Sequence, residues 1–423
     1  MNLIKRFVPF AAALALCACV QEEPTSIGDV LLGGGEFVSV EVTLPASQFL
    51  LQDTSFSGYS KPAAANFVTV ANKFENVVDA NGLMRFSTYV STISVRNAAG
   101  VIVADSAPKF TFGRMVVKFD TISTNTKPTR LRLYRTAQEF DISATWTDRV
   151  DTVGSKLPWQ TPGGTRGASI DTATWAGTDS VVFTVDSATL RMWNDTTNKT
   201  RGVLIVSETP NSRVRIQSTV VHVNAQSSIR PDTAVTIDIV PSIRTFLINP
   251  TLPASSPDIR VGGVPSWRSI LRLRPDLGTL KFPCNNGQAA CTIALDSAHL
   301  TQAQLILKSA RSPLGFLPED TMFIEARSVV LSNAIPLERT PTGSQIGVSS
   351  HIAPSLFALN GSGEVKINVT GFMRNLVNAD AVVANKLLPY IALIQIPDAS
   401  TQGFAVFDSA PVLRIVLTAA LEK

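Results

Sequence analysis

Glu364-Val365-Lys366-Ile367-Asn368-Val369-Thr370 alternates polar and apolar residues at every step. Successive side chains of a strand point to opposite faces, so this stretch predicts a ribbon with one wet and one dry side. The same alternation runs through Arg114-Met115-Val116-Val117-Lys118-Phe119-Asp120, Arg130-Leu131-Arg132-Leu133, Arg213 to Gln217 and Val235 to Ile239. Asn-Gly pairs at Asn81-Gly82, Asn286-Gly287 and Asn360-Gly361 punctuate the strands as turns. Helical spacing is confined to Asp186 to Trp193 and Thr370 to Asn378, where Asp186 and Thr370 are natural N-caps. The pattern predicts an all-β chain of β-sandwich type with very short helices.

The chain also carries an internal repeat. Ser180 to Val185 is a strand, followed by a short helix with Leu190 and Trp193 and then strands at 202–206, 213–218 and 235–239. Glu364 to Thr370 is a strand, followed by a short helix with Phe372 and Leu376 and then strands at 391–394, 403–407 and 412–418. Upstream, Trp267 to Leu273 before Leu300 to Leu307 matches Arg114 to Phe119 before Thr129 to Tyr134. Asp-Ser-Ala recurs at Asp105, Asp186, Asp296 and Asp408 and reads as a turn or cap signal. The Pro-rich stretch from Pro241 to Pro265 separates the halves. The expected division is 36–242 for the first sandwich and 243–423 for the second.

The start of the chain reads differently. Lys5 and Arg6 precede an apolar run from Phe7 to Cys19, too short to span a bilayer, which needs ~20 residues. Leu16-Cys17-Ala18-Cys19 resembles a lipobox, with a branched apolar residue three before the cysteine and a small one just before it. Residues 1–18 are then a lipoprotein signal peptide and Cys19 the lipidated N-terminus. The competing reading is an ordinary signal peptide with incidental cysteines. Two or three acyl chains on Cys19 make a stable membrane anchor where one does not. Residues 19–35, ending in Gly33-Gly34-Gly35, form a flexible tether. Val20 at the second mature position is not aspartate, which by resemblance to lipoprotein sorting implies the outer membrane. Glu22 and Glu23 resemble surface-export signals of some lipoproteins.

Without residues 1–18 the chain has 405 residues and 35 basic against 33 acidic side chains, a net +2. That balance, with no basic run, excludes a nucleic-acid binder. Cys284 and Cys291 are the remaining cysteines and are expected to pair across Asn-Asn-Gly-Gln in an oxidising compartment. Zinc is the alternative, but it needs two further ligands and none lies close in sequence. His222, His299 and His351 stand apart from one another. No Gly-x-Ser-x-Gly, His-Glu-x-x-His or phosphate-loop motif occurs. No catalytic residue is expected, and no cofactor. A structural calcium at Glu139, Asp141, Asp148 and Asp151 is a second metal reading, and no twelve-residue calcium loop supports it.

These stretches resemble tandem DNRLRE-type domains, a carbohydrate-binding-module-like jelly-roll family. The residues that carry the resemblance begin with Arg114 to Phe119 and Thr129 to Tyr134. They continue with Val181 to Val185 leading to Trp193, and with Asn198 to Ile205. The second copy gives Arg268 to Leu273 and Pro411 to Ile415, with Asn375-Leu376 where the helix Trp would stand. The motif Asp-Asn-Arg-Leu-Arg-Glu itself is absent. The resemblance implies a secreted or surface protein of two tandem jelly-roll β-sandwich domains.

Trp146, Trp159, Trp175 and Trp193 crowd the first half. Trp193, on the short helix, is expected in the core, and Trp146 in the core or at its edge. Trp159 and Trp175 lie in a Gly, Thr and Pro-rich stretch and have two readings: a lid over the sandwich, or an exposed platform on which sugar rings stack. The expected function is a non-catalytic binding or structural protein of the cell envelope with polysaccharide as candidate ligand. The alternative is a partner-binding subunit of an export, uptake or adhesion assembly.

Overall fold

The computed structural model describes residues 37–120, 128–250, 252–284, 292–330, 335–378 and 389–420. These residues form antiparallel sheets, with three α-helices of at most eight residues, so the chain is all-β. In the strand Glu364–Asn368, Val365 and Ile367 are buried while Glu364, Lys366 and Asn368 are exposed, as alternation dictates.

The first sandwich is one ten-stranded sheet folded into two leaves. The front leaf runs Arg166–Trp175, Thr129–Thr136, Gly202–Ser207, Val78–Phe86, Pro241–Asn249. The back leaf runs Ser180–Asp186, Lys109–Phe119, Ser212–Gln226, Ala234–Ile239. Val68–Phe74 joins them, forming a hairpin with Val78–Phe86 and pairing with Ser212–Ile216. Met84, Leu131, Leu133, Val203 and Ile205 of the front leaf meet Met115, Val117, Phe183, Val185 and Val221 of the back leaf. Helix Ser187–Asn194 is capped by Asp186, whose side chain accepts from the Thr189 N–H, and it buries Leu190 and Trp193. Asp105 and Asp296 also accept backbone N–H groups two or three residues on, so three of the Asp-Ser-Ala signals are turn or cap devices.

The second sandwich has one leaf of Phe37–Pro45, Val412–Ala420, Leu300–Ala310 and Glu364–Asn368. Ala405–Phe407 and Ile259–Val261 extend it from the end of Leu300–Ala310. The other leaf holds Leu50–Phe56, Arg268–Leu273, Tyr390–Gln395 and Met322–Val329, with Thr342–Gln345 and Ser350–Ile352 at its edge.

The two sandwiches share one strand order, although the second is split into two sheets. Ile259–Val261 takes the place of Val68–Phe74, and Arg268–Leu273 that of Val78–Phe86. Leu300–Ala310 takes the place of Lys109–Phe119, and Met322–Val329 that of Thr129–Thr136. The repeat is therefore real, but its register differs from the sequence match at both ends: Val412–Ala420 takes the place of the later part of Ser212–Gln226, not of 235–239. Arg268–Leu273 corresponds to Val78–Phe86, not to Arg114–Phe119. Alternation alone does not distinguish one such strand from the next.

The division of the chain also differs from 36–242 and 243–423. Pro241–Asn249 pairs with Val78–Phe86 and closes the first sandwich, so that sandwich extends to Asn249. Phe37–Pro45 and Leu50–Phe56 belong to the second sandwich, where they pair with Val412–Ala420 and Arg268–Leu273. They fill the places that Ala234–Ile239 and Pro241–Asn249 fill in the first. Val40, Leu44 and Phe49 are buried in the second core, which is why the segment docks there. From Phe37 the described chain thus runs first in the second sandwich, crosses to the first, and returns.

The two cores touch. Trp267, Phe316 and Phe404 of the second sandwich join the core that holds Phe67, Val70 and Phe246. Burying each such side chain contributes ~1.5–3 kcal/mol. Beside this contact Arg215, 7% exposed, donates to Asp120 Oδ2 at 2.8 Å and to Glu319 Oε2 at 3.1 Å. Arg213 pairs with the same Glu319. The two guanidinium groups lie 4.1 Å from the rings of Phe74 and Phe67.

Candidate functional site

The central strand of the front leaf is buried on both faces. Gly202-Val203-Leu204-Ile205-Val206-Ser207 lacks alternation and is buried at every position. A strand covered on both sides reads this way. The cover is the segment 137–165, inserted between Thr129–Thr136 and Arg166–Trp175. Its Phe140, Ala144 and Trp159 pack on Leu83, Leu204, Val206 and Leu247. The hairpin Asp148–Thr152 and Ser155–Pro158 stiffens it. Gly163 and Gly164 have φ of +83° and +96°, and a Cβ on Gly163 would lie 2.8 Å from the Trp146 ring. The Gly163 N–H donates to the Trp146 carbonyl at 2.7 Å, and the Gly163 carbonyl accepts from Asn81 Nδ2 at 2.8 Å. Glycine there lets the lid lie flat against the tryptophan.

Trp159 is 5% exposed, and its Nε1–H donates to the Thr145 carbonyl at 2.9 Å. Trp175 is 2% exposed, packs on Phe119, and donates to the Thr178 carbonyl at 2.5 Å. One belongs to the lid core and the other to the sandwich core, on opposite faces of one leaf. The platform reading of this pair is thereby corrected: the Trp159 ring is covered within the lid, and Trp175, which ends the strand Arg166–Trp175, turns its ring into the sandwich core, because burying an indole removes a large apolar area from water. Trp193 is in the core as expected, 4.6 Å from Phe86.

Trp146 is the partly buried tryptophan of the lid, and it walls a depression of about 400 Å³ on the outer face of the front leaf. Asn72, Asp79, Tyr134, Arg166 and Glu208 complete the lining. Tyr134 is half-buried, and the Arg166 guanidinium lies 5.3 Å from its ring centroid. Glu208 Oε1 accepts from Arg132 Nε at 2.5 Å, and Oε2 pairs with Arg130 Nε at 3.0 Å. Asp79 Oδ1 accepts from the Lys73 N–H at 2.8 Å, and Asn72 Nδ2 donates to the Ser207 carbonyl at 3.1 Å. The volume fits a small-molecule site of ~300–1,000 Å³. Two aromatic rings amid fixed planar polar groups suit a ligand with apolar faces and hydroxyl edges.

Sequence reasoning missed this site. Its signal was Tyr134, an aromatic residue in the outward phase of a strand whose Leu131 and Leu133 point inward.

Three of the four carboxylates considered for calcium are otherwise engaged. Asp141 accepts from the Ser143 hydroxyl at 2.5 Å and its N–H at 2.8 Å. Asp151 pairs with Lys61 at 3.2 Å, and Lys156 lies 3.7 Å from Asp148 and 3.6 Å from Asp151. Among the described residues no group of three or more His, Cys, Asp or Glu side chains is placed to hold a metal. His222 and His299 sit against Asp238 and Asp296, and His351 packs edge-on to Phe323. Cys284 is buried and disulfide-bonded. Cys291 and Cys19 lie outside the described residues, and among these no helix is long and apolar enough to cross a membrane.

No family model matches the chain, the DNRLRE type included, and no curated protein matches it. Among solved structures it is similar to one titled BspA_C_WT, at 8% identity and TM-score 0.12 over 92% of this chain and 85% of that one. A Streptococcus agalactiae AgI/II polypeptide BspA C-terminal domain gives 7% identity and TM-score 0.11 over 81% and 91%. A structure of infectious bursal disease virus, Gx strain, gives 8% and 0.13 over 90% and 78%.

Proposed function

We propose that this protein is a lipid-anchored, non-catalytic component of the cell envelope that binds a polysaccharide in the pocket between Tyr134 and Trp146. The observation that carries the reading is that pocket's make-up: two aromatic faces, with Asn72, Asp79, Arg166 and Glu208 around them. Stacking on the rings supplies contact area, and the polar rim supplies hydrogen bonds. A binding role suits these carboxylates better than hydrolysis. Glycoside cleavage needs one carboxyl free to give up a proton. Both oxygens of Glu208 are taken by arginines, and Asp79 is tied to its own hairpin.

The anchor rests on the lipobox that ends at Cys19, followed by a tether to Phe37. Val20 favours the outer membrane, on its periplasmic or surface side.

A glycan array probed with residues 37–423 tests the ligand. Binding to at least one microbial or plant polysaccharide supports the reading, and silence across the array defeats it. Cys19→Ala tests the anchor, since the variant should leave the membrane fraction.

A further inference from the structure

The recurring Asp-Ser-Ala tripeptide belongs to a wider set. Twelve of the chain's 21 aspartates are followed directly by Ser or Thr. Ser and Thr make up 78 of the 423 residues, so composition alone predicts about four such pairs. In ten of the twelve the third residue is Ala, Val, Ile or Met. Capping accounts for the aspartate only. Asp105, Asp186 and Asp296 accept backbone N–H groups two or three residues on, which asks nothing of the residue that follows them. Nor do all the triplets make turns. Asp171-Thr172-Ala173 lies within the strand Arg166–Trp175, and Asp179-Ser180-Val181 and Asp320-Thr321-Met322 run into strands. A local signature kept across strands, turns and caps serves a reader outside the fold.

Three copies stand open on the folded surface. Asp408, Ser409 and Ala410 are all exposed, in the link between Ala405–Phe407 and Val412–Ala420. Thr152 and Val153 are exposed at the tip of the lid hairpin, after a half-buried Asp151. Ser297 and Ala298 are exposed just ahead of Leu300–Ala310, after a half-buried Asp296. The Ser297 and Ser409 hydroxyls have no hydrogen-bond partner among the described residues. Thr152 Oγ1 has only the Ser155 carbonyl, at 3.4 Å. In Asp105-Ser106-Ala107 the carboxylate is buried, which hides that copy from a reader of the folded chain.

We propose, resting on the export reading, that Thr152, Ser297 and Ser409 are O-glycosylation sites of an envelope glycosyltransferase that recognises Asp-(Ser/Thr)-apolar. The carboxylate gives the enzyme a charge to pair with, and the small apolar third residue leaves room for the sugar. The hydroxyl oxygen attacks the anomeric carbon of a sugar carried on a lipid diphosphate. The bond from that carbon to the phosphate oxygen breaks, and the diphosphate leaves with the electron pair. The hydroxyl proton passes to a base of the transferase. The attached glycan is bulky and hydrated, and at Thr152 it shields Val153, which is 90% exposed.

Peptide mass spectrometry of the full chain, purified from the membrane fraction of the cells that make it, tests the proposal. Peptides with Thr152, Ser297 and Ser409 should carry hexose- or hexosamine-type masses that alkaline β-elimination removes. Thr184 and Thr236, exposed but outside the signature, should carry none. Asp408→Asn changes an exposed side chain and should lose the addition at Ser409 alone, with an unchanged circular dichroism spectrum. Unmodified chain in the membrane fraction would overturn the proposal and leave the anchor standing. Unmodified chain confined to the cytosol would overturn both. Phosphate in place of sugar, equal sugar on Thr184 and Thr236, or a glycan kept at Ser409 in Asp408→Asn would also overturn it.

Discussion

Phe37 and Ala420 pair across one antiparallel ladder, so the first and last described strands are neighbours in a single leaf. The N-terminal segment is therefore part of the second core rather than an appendage to the first. Phe49→Ala removes a fully buried ring from that core and should cost about 3–5 kcal/mol in urea unfolding. A permutant that joins Ala420 to Phe37 through a Gly/Ser linker, and opens at the exposed turn Ala99-Gly100, should fold with an unchanged circular dichroism spectrum. An unfolded permutant would show that this pairing does not set the topology.

Arg215 holds Asp120 of one sandwich and Glu319 of the other. Burial lowers the pKa of its guanidinium, and the Asp120 carboxylate works against that shift. Arg215→Ala removes one of the cluster's two cations and its bonds to Asp120 and Glu319, while Arg213 still faces Glu319 in a half-dry interface. The expected loss is about 3–5 kcal/mol, read by urea unfolding. A loss under ~1 kcal/mol would mean that water already screens the cluster.

Asp105 is buried and accepts from Ser228 Oγ, Ser227 Oγ, and the Ser228 and Ala107 N–H groups. These bonds, the Ser228 hydroxyl first, hold its carboxyl well below the usual carboxylate range. Its folded pKa lies under its unfolded value of ~3.9, so its contribution is present above about pH 4 and fades as pH falls below that. Asp105→Asn should therefore be less stable than the natural chain at pH 7, with a smaller gap at pH 3. A gap that is constant with pH would assign the effect to packing alone.

Gly163→Ala places a methyl group against Trp146 at a φ of +83°. The backbone term alone is ~1–2 kcal/mol. The lid should loosen while both sandwiches stay folded. Hydrogen exchange should then rise across 140–165 and stay unchanged in Lys109–Phe119. Equal protection in the variant would show that the lid does not depend on this close approach.

Much of the architecture was legible because alternation is local. Glu364–Asn368, Lys109–Phe119 and Ser180–Asp186 needed only their own residues to be read. The repeat was legible for the same reason, and so was the capping by Asp186. Partner choice was not. Phe37–Pro45 alternates as any edge strand does, and nothing within it says that it pairs with residues nearly four hundred positions away. The lid was half legible. Gly202–Ser207 announced a strand covered on both faces, but which segment covers it depends on Gly163 and the turn around Trp146. Trp159 and Trp175 drew attention as loop indoles. Their burial hid them, and the partly open Trp146 is the one beside a pocket.

Side-by-side glycan arrays of residues 37–423 in natural, Trp146→Ala and Trp159→Phe forms test the binding site most directly. The natural protein should bind, Trp146→Ala should lose at least tenfold, and Trp159→Phe, which alters only a covered ring, should keep its affinity if folded. Undiminished binding by a folded Trp146→Ala variant would contradict the placement of the ligand against that tryptophan.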